Sequence, residues 1–141
     1  MIVEVDYNLS TYFNDDPVRH HLSSEFRMTG NRKSYALVLN GDRNPSAMIC
    51  VAFCEDVPAT EEELVKPGNV AVFYTVWSYA KGCGTEIVFD IVDYIKTNMP
   101  EVNRFVTLSP LTQMARNFHI KNGAVEYRMN ETTVNFEYEY C

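Results

Sequence analysis

The stretch from Val72 to Ile87 constrains the fold of this chain more than any other part of the sequence. It begins with β-branched and aromatic residues, passes through the glycine-containing segment KGCGT at residues 81–85, and continues at once into a helix-like apolar pattern. Glycine allows a tight turn and a close approach of the backbone to a ligand. The first N–H groups of a helix have no partner within the helix. A strand, a glycine turn and a helix in this order therefore predict an anion-binding site.

The spacing of the glycines limits which anionic ligand this loop can bind. The loop is too short for a P-loop, and Gly82-Cys83-Gly84 lacks the third glycine of a dinucleotide-binding fingerprint. It fits the pyrophosphate of coenzyme A, with the pantetheine arm lying along the preceding strand like an added strand. The predicted coenzyme A contacts are Val76, Trp77, Ser78, Lys81, Gly82, Cys83, Gly84 and Thr85. The alternative is a plain turn between a strand and a helix.

Composition and charge exclude several classes of protein. With 141 residues and 46% hydrophobic content, the chain is the size of one domain with a real core, spanning residues 1–141. A net charge of −7 argues against nucleic acid as the main partner. No apolar run is long enough to cross a membrane, and the N-terminus carries Glu4 and Asp6 where a signal peptide has basic residues. We therefore expect a soluble, cytoplasmic protein with no membrane partner.

The four cysteines follow no metal-binding pattern. Cys50, Cys54, Cys83 and Cys141 form no CxxC pair and no Cys/His spacing of a metal site. Cys50 and Cys54 share an apolar segment, which indicates buried thiols in a reducing compartment. We predict no metal ion.

Strand and helix patterns alternate along the chain without a linker or a repeat. Residues 70–77 are a nearly continuous apolar run, typical of a central strand buried on both faces. Residues 85–98 place Ile87, Ile91 and Ile95 on one helical stripe, with Thr85 as a candidate cap. The other predicted elements are strands at 2–7, 34–39, 47–53, 104–108, 124–129 and 132–140, helices at 15–26 and 111–121, a hairpin loop at 41–45 and an acidic, solvated connection at 56–67.

From Val70 to Val125 this order resembles the GNAT acyltransferase superfamily. The resemblance implies a single α+β domain (an α/β mixed sheet): a central, mostly antiparallel sheet with splayed fourth and fifth strands and flanking helices, and an acyl-CoA thioester between those strands. The family loop, Arg/Gln-x-x-Gly-x-Gly/Ala, matches residues 79–84 except that Tyr79 replaces the Arg or Gln. Lys81 then supplies the positive charge near the phosphates. His119 lies where the family usually has a tyrosine acid.

Four shorter motifs resemble successive motifs of the catalytic domain of malonyl-CoA decarboxylase, which is itself a GNAT fold. They are FYTV at residues 73–76, TLSP at 107–110, FHIKNGAV at 118–125 and VNFEY at 134–138. In that family the serine of the SP motif and the histidine of FHxxNGA are catalytic, which implies catalytic roles for Ser109 and His119. A tyrosine in the closing strand corresponds to Tyr138. The decarboxylase also has a long insertion between SP and FHxxNGA and an N-terminal helical domain, and this sequence contains neither.

Two of these residues also have a structural interpretation. Ser109 precedes a proline at the end of a strand and is placed to cap the helix that follows. His119 lies near the end of a helix whose apolar stripe includes Met114 and Phe118, where a histidine is often a core residue. Both interpretations stay open beside catalysis.

The predicted function is acyl transfer from an acyl-CoA, such as acetyl-CoA, to an amine. This reaction needs an N–H donor for the oxyanion and an acid for the leaving thiolate. A backbone N–H near Val76 or Trp77 fits the first role, and His119 or Tyr138 fits the second. The alternatives are decarboxylation of malonyl-CoA, with Ser109 holding the carboxylate, and a non-catalytic acyl-CoA-binding module. A cationic acceptor is weakly indicated by the acidic composition, and a homodimer through an edge strand is a further expectation.

Overall fold

The computed structural model describes residues 1–39 and 43–139. Part of the predicted hairpin loop at 41–45 and the end of the predicted last strand lie outside the described residues. The strands are β1 Ile2–Glu4, β2 Arg32–Leu37, β3 Ala47–Cys54, β4 Val70–Ser78, β5 Arg104–Thr107, β6 Ser109–Pro110, β7 Val125–Met129 and β8 Thr133–Tyr138. The helices are α1 Ser24–Met28, α2 Cys83–Asn98 and α3 Gln113–Lys121, with 3₁₀ helices at Ser10–Asp15 and Glu61–Val65.

The strands form one mixed sheet in which β1, β2, β3, β4, β5 and β8 are neighbours in this order. Strands β5 and β6 both pair with one edge of β8, and β7 pairs with its opposite edge. Only β4 and β5 are parallel among the paired strands of the described residues, and the remaining pairs are antiparallel. A parallel pair needs a crossover connection, and α2 supplies it. This arrangement confirms the predicted α+β fold with a mostly antiparallel sheet.

The central pair of strands opens into a V. The parallel ladder runs from Val70 opposite Arg104 to Phe73 opposite Thr107, and the Leu108 N–H still donates to the Phe73 carbonyl at 3.0 Å. Beyond this point β4 continues to Ser78 while the chain after β5 turns into the two-residue strand β6. Among the described strands, none therefore pairs with this edge of β4 past Phe73.

A bulge marks the same place on the other edge of β4. Val51 of β3 pairs with Phe73, and Cys50 pairs with Thr75, so Tyr74 is the extra residue. A bulge bends a strand and increases its local twist. The divergence of β4 from β5 therefore begins where β4 itself is bent.

Each face of the sheet carries its own apolar layer. On one face, Ile87, Ile91 and Ile95 of α2 are fully buried in a cluster that includes Phe73, which confirms the predicted helical stripe. On the other face, the N-terminal segment and the 3₁₀ helix at Glu61–Val65 contribute a second cluster that includes Trp77. Among the described residues, no helix is long and apolar enough to cross a membrane.

The predicted helix at residues 15–26 is wrong. A 3₁₀ helix ends at Asp15, and the α-helix that follows is only Ser24–Met28. Between them the Asp16 carboxylate accepts hydrogen bonds from the backbone N–H groups of Val18 and Arg19, at 2.9 and 3.0 Å. A short acidic side chain that bonds the backbone locally competes with helix formation, which explains the break.

Three further expectations need correction. Helix α2 begins at Cys83 rather than Thr85, with Gly82 in the left-handed region at φ 84°, and Thr85 instead donates from Oγ1 to Asn122 Oδ1 at 2.9 Å. The connection at 56–67 is not simply solvated, because it contains a 3₁₀ helix with a fully buried Leu64. Ser109 does not cap α3. It pairs in β6, and the cap is Thr112, whose Oγ1 accepts from the Ala115 N–H at 3.2 Å.

Candidate functional site

A cavity of about 340 Å³ lies where β4 and β5 diverge. It is lined from the α2 and α3 face by residues such as Gly84 and Phe118, and from the opposite face by Pro17 and Val18 of the N-terminal segment. We call this cavity the cleft. Its full lining is Pro17, Val18, Arg19, Phe73, Tyr74, Thr75, Val76, Trp77, Ser78, Gly84, Leu108, Ser109, Pro110, Thr112, Met114, Ala115, Phe118 and His119.

The free edge of β4 turns two backbone N–H groups toward the cleft. The Tyr79 N–H donates to the Ser46 carbonyl at 2.8 Å, so Tyr79 faces β3. Because successive residues of a strand direct their N–H and C=O groups to opposite sides, Ser78 and Val76 face the cleft and Trp77 faces β3. Of the two oxyanion donors predicted from the sequence, this geometry favours Val76 over Trp77, whose contribution to the cleft is its side chain.

The glycine loop lies at the mouth of the cleft, and its residues differ in what they offer. The Cys83 N–H already donates to the Ala80 carbonyl at 3.1 Å, and the Cys83 side chain packs in the core. Gly84 lines the cleft, and a Cβ added there would lie 3.3 Å from Phe118 Cε1. Lys81 and Gly82 are exposed, and Thr85 is half-buried against Asn122. The N–H groups of Gly84 and Thr85 are thus the free donors at the start of α2.

His119 and Tyr138 form a buried pair beside the cleft. His119 Nδ1 and the Tyr138 hydroxyl are 2.7 Å apart, and the imidazole stacks on Phe136. His119 lines the cleft but is only 5% exposed. Burial lowers its pKa to about 4, so the imidazole is neutral at neutral pH. A neutral imidazole whose Nδ1 accepts from the Tyr138 hydroxyl carries its hydrogen on Nε2.

Ser109 also lines the cleft, and its hydroxyl is already engaged. Ser109 Oγ donates to Thr107 Oγ1 at 2.8 Å, and Thr107 Oγ1 in turn accepts from the Phe136 N–H at 3.0 Å. In this arrangement the Ser109 hydrogen is directed to Thr107 and the oxygen lone pairs are available to the cleft, although two hydroxyls in contact can exchange donor and acceptor roles. The structure therefore brings Ser109 and His119 into one cavity, with Tyr138 behind the imidazole.

A buried polar network fixes the opposite wall of the cleft. Thr75 Oγ1 donates to Asp16 Oδ1 at 2.9 Å, and Arg19 Nη1 donates to the carbonyl of the bulge residue Tyr74. Arg27 is completely buried and donates from Nη1 to Asp16 Oδ2 at 2.8 Å and from Nη2 to the Arg19 carbonyl at 2.6 Å. The segment at residues 16–19 is thereby held against β4 at the bulge.

Tyr79, the departure from the GNAT loop pattern, takes part in a different contact. Its hydroxyl donates to Asp15 Oδ2 at 2.7 Å and accepts from Trp77 Nε1 at 3.0 Å. Its ring packs edge-on against the Tyr12 ring, with 5.8 Å between the two ring centroids. Tyr79 therefore bonds to the N-terminal segment and to the indole of Trp77.

The comparisons with known proteins agree on the fold. No family model and no curated protein matches the sequence. Among solved structures, malonyl-CoA decarboxylase from Cupriavidus metallidurans superimposes on 98% of this chain with a TM-score of 0.74 at 15% identity. An acetyltransferase from Bacillus subtilis in complex with CoA covers 99% with a TM-score of 0.68 at 8% identity, and 98% of that protein is matched. An N-acetyltransferase from Campylobacter jejuni covers 100% at 0.66 and 9% identity, with 98% of it matched.

These likenesses define the class of fold. The chain has the GNAT fold, which part of malonyl-CoA decarboxylase shares, and this confirms the fold that the sequence resemblance implies. The chain spans 60% of the length of the Cupriavidus decarboxylase and 38% of the Agrobacterium vitis decarboxylase, which it matches with a TM-score of 0.67 at 18% identity.

Proposed function

We propose that this protein transfers an acyl group from coenzyme A to an amine. The observation that carries the proposal is the cleft itself, which reaches both faces of the sheet. The α2 face offers the free edge of β4, which can bond the amides of a pantetheine arm. It also offers the start of a helix, which can bond a pyrophosphate. The opposite face opens at Pro17 and Val18, where a second substrate has access.

Coenzyme A would lie along the α2 face. Its pyrophosphate would accept hydrogen bonds from the N–H groups of Gly84 and Thr85, with the exposed Lys81 as a nearby positive charge. Its pantetheine amides would pair with the Val76 carbonyl and with the N–H of Ser78, in the manner of an added strand, which leaves the Val76 N–H for the thioester. The thioester would then lie deeper in the cleft, near Ser109 and His119.

The chain supplies groups for each step of the transfer. The amine nitrogen attacks the thioester carbonyl carbon, a C–N bond forms, and the C–S bond breaks to release coenzyme A. The Val76 N–H is the donor for the oxyanion. The His119–Tyr138 pair gives one proton to the departing thiolate and regains the proton that the nitrogen loses, so its own protonation is unchanged at the end of the reaction.

Decarboxylation of malonyl-CoA is the second candidate, favoured by the presence of Ser109 and His119 in one cleft with Tyr138 behind. Two observations favour acyl transfer over it. Arg19 is the one Lys or Arg among the described lining residues, and its guanidinium is bound to Glu61 and to the Tyr74 carbonyl. Thr107 Oγ1 lies 2.8 Å from Ser109 Oγ and competes for the serine hydrogen that a carboxylate would need. A malonyl carboxylate needs donors, whereas an attacking amine needs an acceptor.

Mass spectrometry of the two thioesters tests the proposal directly. The protein is incubated with acetyl-CoA or malonyl-CoA, with and without a pool of amines. We expect free coenzyme A and a new amide only when acetyl-CoA and an amine are both present. Conversion of malonyl-CoA to acetyl-CoA without an amine would replace acyl transfer by decarboxylation. If neither thioester is consumed but coenzyme A binds, the protein is a binding module.

Enlarging Gly84 should weaken coenzyme A binding. The added Cβ would already lie 3.3 Å from Phe118, and valine adds two methyl groups at the mouth of the cleft. These methyl groups would occupy the space through which a phosphate approaches the N–H groups of Gly84 and Thr85, so we expect roughly a tenfold or larger rise in Kd for Gly84→Val, and a smaller one for Gly84→Ala. Calorimetry measures both, and Ala80→Val, on the exposed side of the same loop, is the control. An unchanged Kd in folded Gly84→Val would remove the loop from the proposed site.

A further inference from the structure

The charge of the cleft limits what its second substrate can be. None of the described side chains that line it is an aspartate or a glutamate. The Arg19 charge is paired with Glu61, its Nη1 donates to the Tyr74 carbonyl, and His119 is neutral. The described lining therefore offers no carboxylate to pair with an ammonium ion, and its one permanent cation already has a carboxylate partner. An unpaired charge inside such a cavity is strongly unfavourable.

The wall on the open side is apolar. Pro17, Val18, Trp77 and Leu108 line this side of the cleft, and Met114 of α3 belongs to the lining of the opposite side. Met114 is 82% exposed and Val18 is 43% exposed, so two apolar side chains stand at the mouth, where solvated polar groups are the norm. Trp77, by contrast, is only 7% exposed, and it lines the cleft from a buried position. A ligand bound here covers apolar surface from both sides.

This wall is formed before any ligand binds. The Trp77 indole is held by the Tyr79 hydroxyl, which is itself bonded to Asp15. Immediately after Asp15, Asp16 is bonded to Thr75 of β4 and to the buried Arg27. Pro17 and Val18 thus project from a segment that is anchored on either side. A preformed wall lowers the entropy cost of binding a rigid apolar body.

Resting on the acyl transfer proposed above, we infer that the acceptor is a primary amine on an apolar, uncharged body, bound between Trp77, Val18 and Met114 with its nitrogen toward Ser109. The lone pairs of Ser109 Oγ can accept a hydrogen bond from the nitrogen while the hydroxyl hydrogen is bonded to Thr107 Oγ1. The amine enters in its neutral form because no carboxylate is there to receive an ammonium ion. Arylamines, which are neutral at neutral pH, fit best, and arylalkylamines fit once deprotonated.

A panel of acceptors that differ in charge tests the inference. With acetyl-CoA, the panel contains an aniline derivative, phenethylamine and spermidine. We expect kcat/KM for the aniline to exceed that for spermidine by about 100-fold or more, since burying an unpaired charge costs several kcal/mol. For phenethylamine, kcat/KM should rise roughly tenfold per pH unit below the amine pKa of about 10, because only the neutral form binds. For the aniline it should be flat near neutral pH. Equal or better use of spermidine overturns the inference and leaves acyl transfer intact.

Adding a carboxylate at the mouth should invert the preference. Val18→Asp places an acid beside the cleft at a position exposed enough to tolerate it. Its kcat/KM for spermidine should rise about tenfold while that for the aniline falls. Val65→Asp is the matched control, because Val65 is a valine of similar exposure, at 48%, on the 3₁₀ helix outside the cleft lining. An identical response of both variants would show a general charge effect and overturn the inference.

Fluorescence separates this inference from the proposed reaction. The chain has one tryptophan, Trp77, and it lines the cleft, so its emission reports occupancy without turnover. With coenzyme A present, an aniline derivative should change the emission with saturation, and Val18→Asp should raise its Kd. If no amine is acylated but this binding occurs, the apolar site stands and acyl transfer fails. If amines are acylated but the aniline neither binds nor reacts, the inference fails alone. Absence of both aniline binding and acylation overturns the inference as well.

Discussion

His119→Ala should lower the rate of thioester consumption by about 100-fold or more and leave the Kd for coenzyme A within a factor of two. The imidazole is buried, and the Phe118 ring lies between it and Gly84, so its loss removes a proton-transfer group and leaves the proposed phosphate contacts at Gly84 and Thr85 in place. The rate is measured from the free thiol of the released coenzyme A in reactions stopped at set times, and calorimetry gives the Kd. A rate within fivefold of the wild type would return His119 to its structural interpretation as a core residue.

The pH dependence of the rate identifies the same residue. Because burial lowers the His119 pKa to about 4, the imidazole stays neutral through pH 5–7 and gains its proton only near pH 4. For an acceptor that is itself neutral, kcat should therefore fall only near pH 4, an acid limb well below the ordinary histidine value of about 6.5, because protonation of the imidazole leaves no nitrogen lone pair to take a proton from the Tyr138 hydroxyl or the amine. Tyr138→Phe keeps the ring and removes the partner of Nδ1, so it should slow the reaction and move this limb. An acid limb near 6.5 would contradict the assignment.

The fold was largely predictable because its signals are local. The apolar run of β4, the stripe of α2 and the glycine turn between them each follow from neighbouring residues, and their boundaries shifted by only one or two positions. The order of these elements then limits the topology, since a parallel pair needs a helical crossover. The short strand β6 was missed because two residues, Ser109 and Pro110, carry no periodicity.

The buried network behind the cleft could not be predicted in the same way. Arg27 appears in the sequence as an ordinary surface cation, and only its completely buried position, 2.8 Å from Asp16, makes it a structural residue. Thr75 and Asp16 lie 59 positions apart in the chain, a separation that single-sequence patterns do not connect. Asp16 itself gives a misleading signal, because an acid before a proline is typical of a helix start. The predicted catalytic roles of Ser109, His119 and Tyr138 stay predictions. Ser109 and His119 line the same cleft and Tyr138 contacts His119, so substitutions at these positions can test those roles.

Asp16→Ala should be among the most destabilising single substitutions in the chain. It leaves the Arg27 guanidinium buried without its carboxylate, and breaking a buried ion pair from one side costs about 3–5 kcal/mol. Since small domains are stable by only about 5–15 kcal/mol, much of the stability would be lost. Urea denaturation followed by Trp77 fluorescence measures the change. Glu4→Ala is the control, because its ion pair with Lys33, at 3.8 Å and exposed, should contribute less than about 1 kcal/mol.

Removing both partners separates the ion pair from the rest of the network. In Asp16→Asn/Arg27→Met no charge stays buried at these positions, so the double variant should be more stable than Arg27→Met alone.

The wild type should also lose stability in acid. Burial alone would raise the Asp16 pKa, but hydrogen bonds from the N–H groups of Arg19 and Val18, and from Arg27 and Thr75, outweigh it and lower that pKa. The unfolded chain therefore takes up a proton at Asp16 at higher pH than the folded chain. The stability that Asp16 provides is fully present above its unfolded pKa of about 3.8 and is lost as the pH falls through the folded value. The double variant lacks this titrating carboxylate, so its stability should fall less than that of the wild type below about pH 4. An equal acid sensitivity would show that the buried pair does not govern the unfolding of this wall of the cleft.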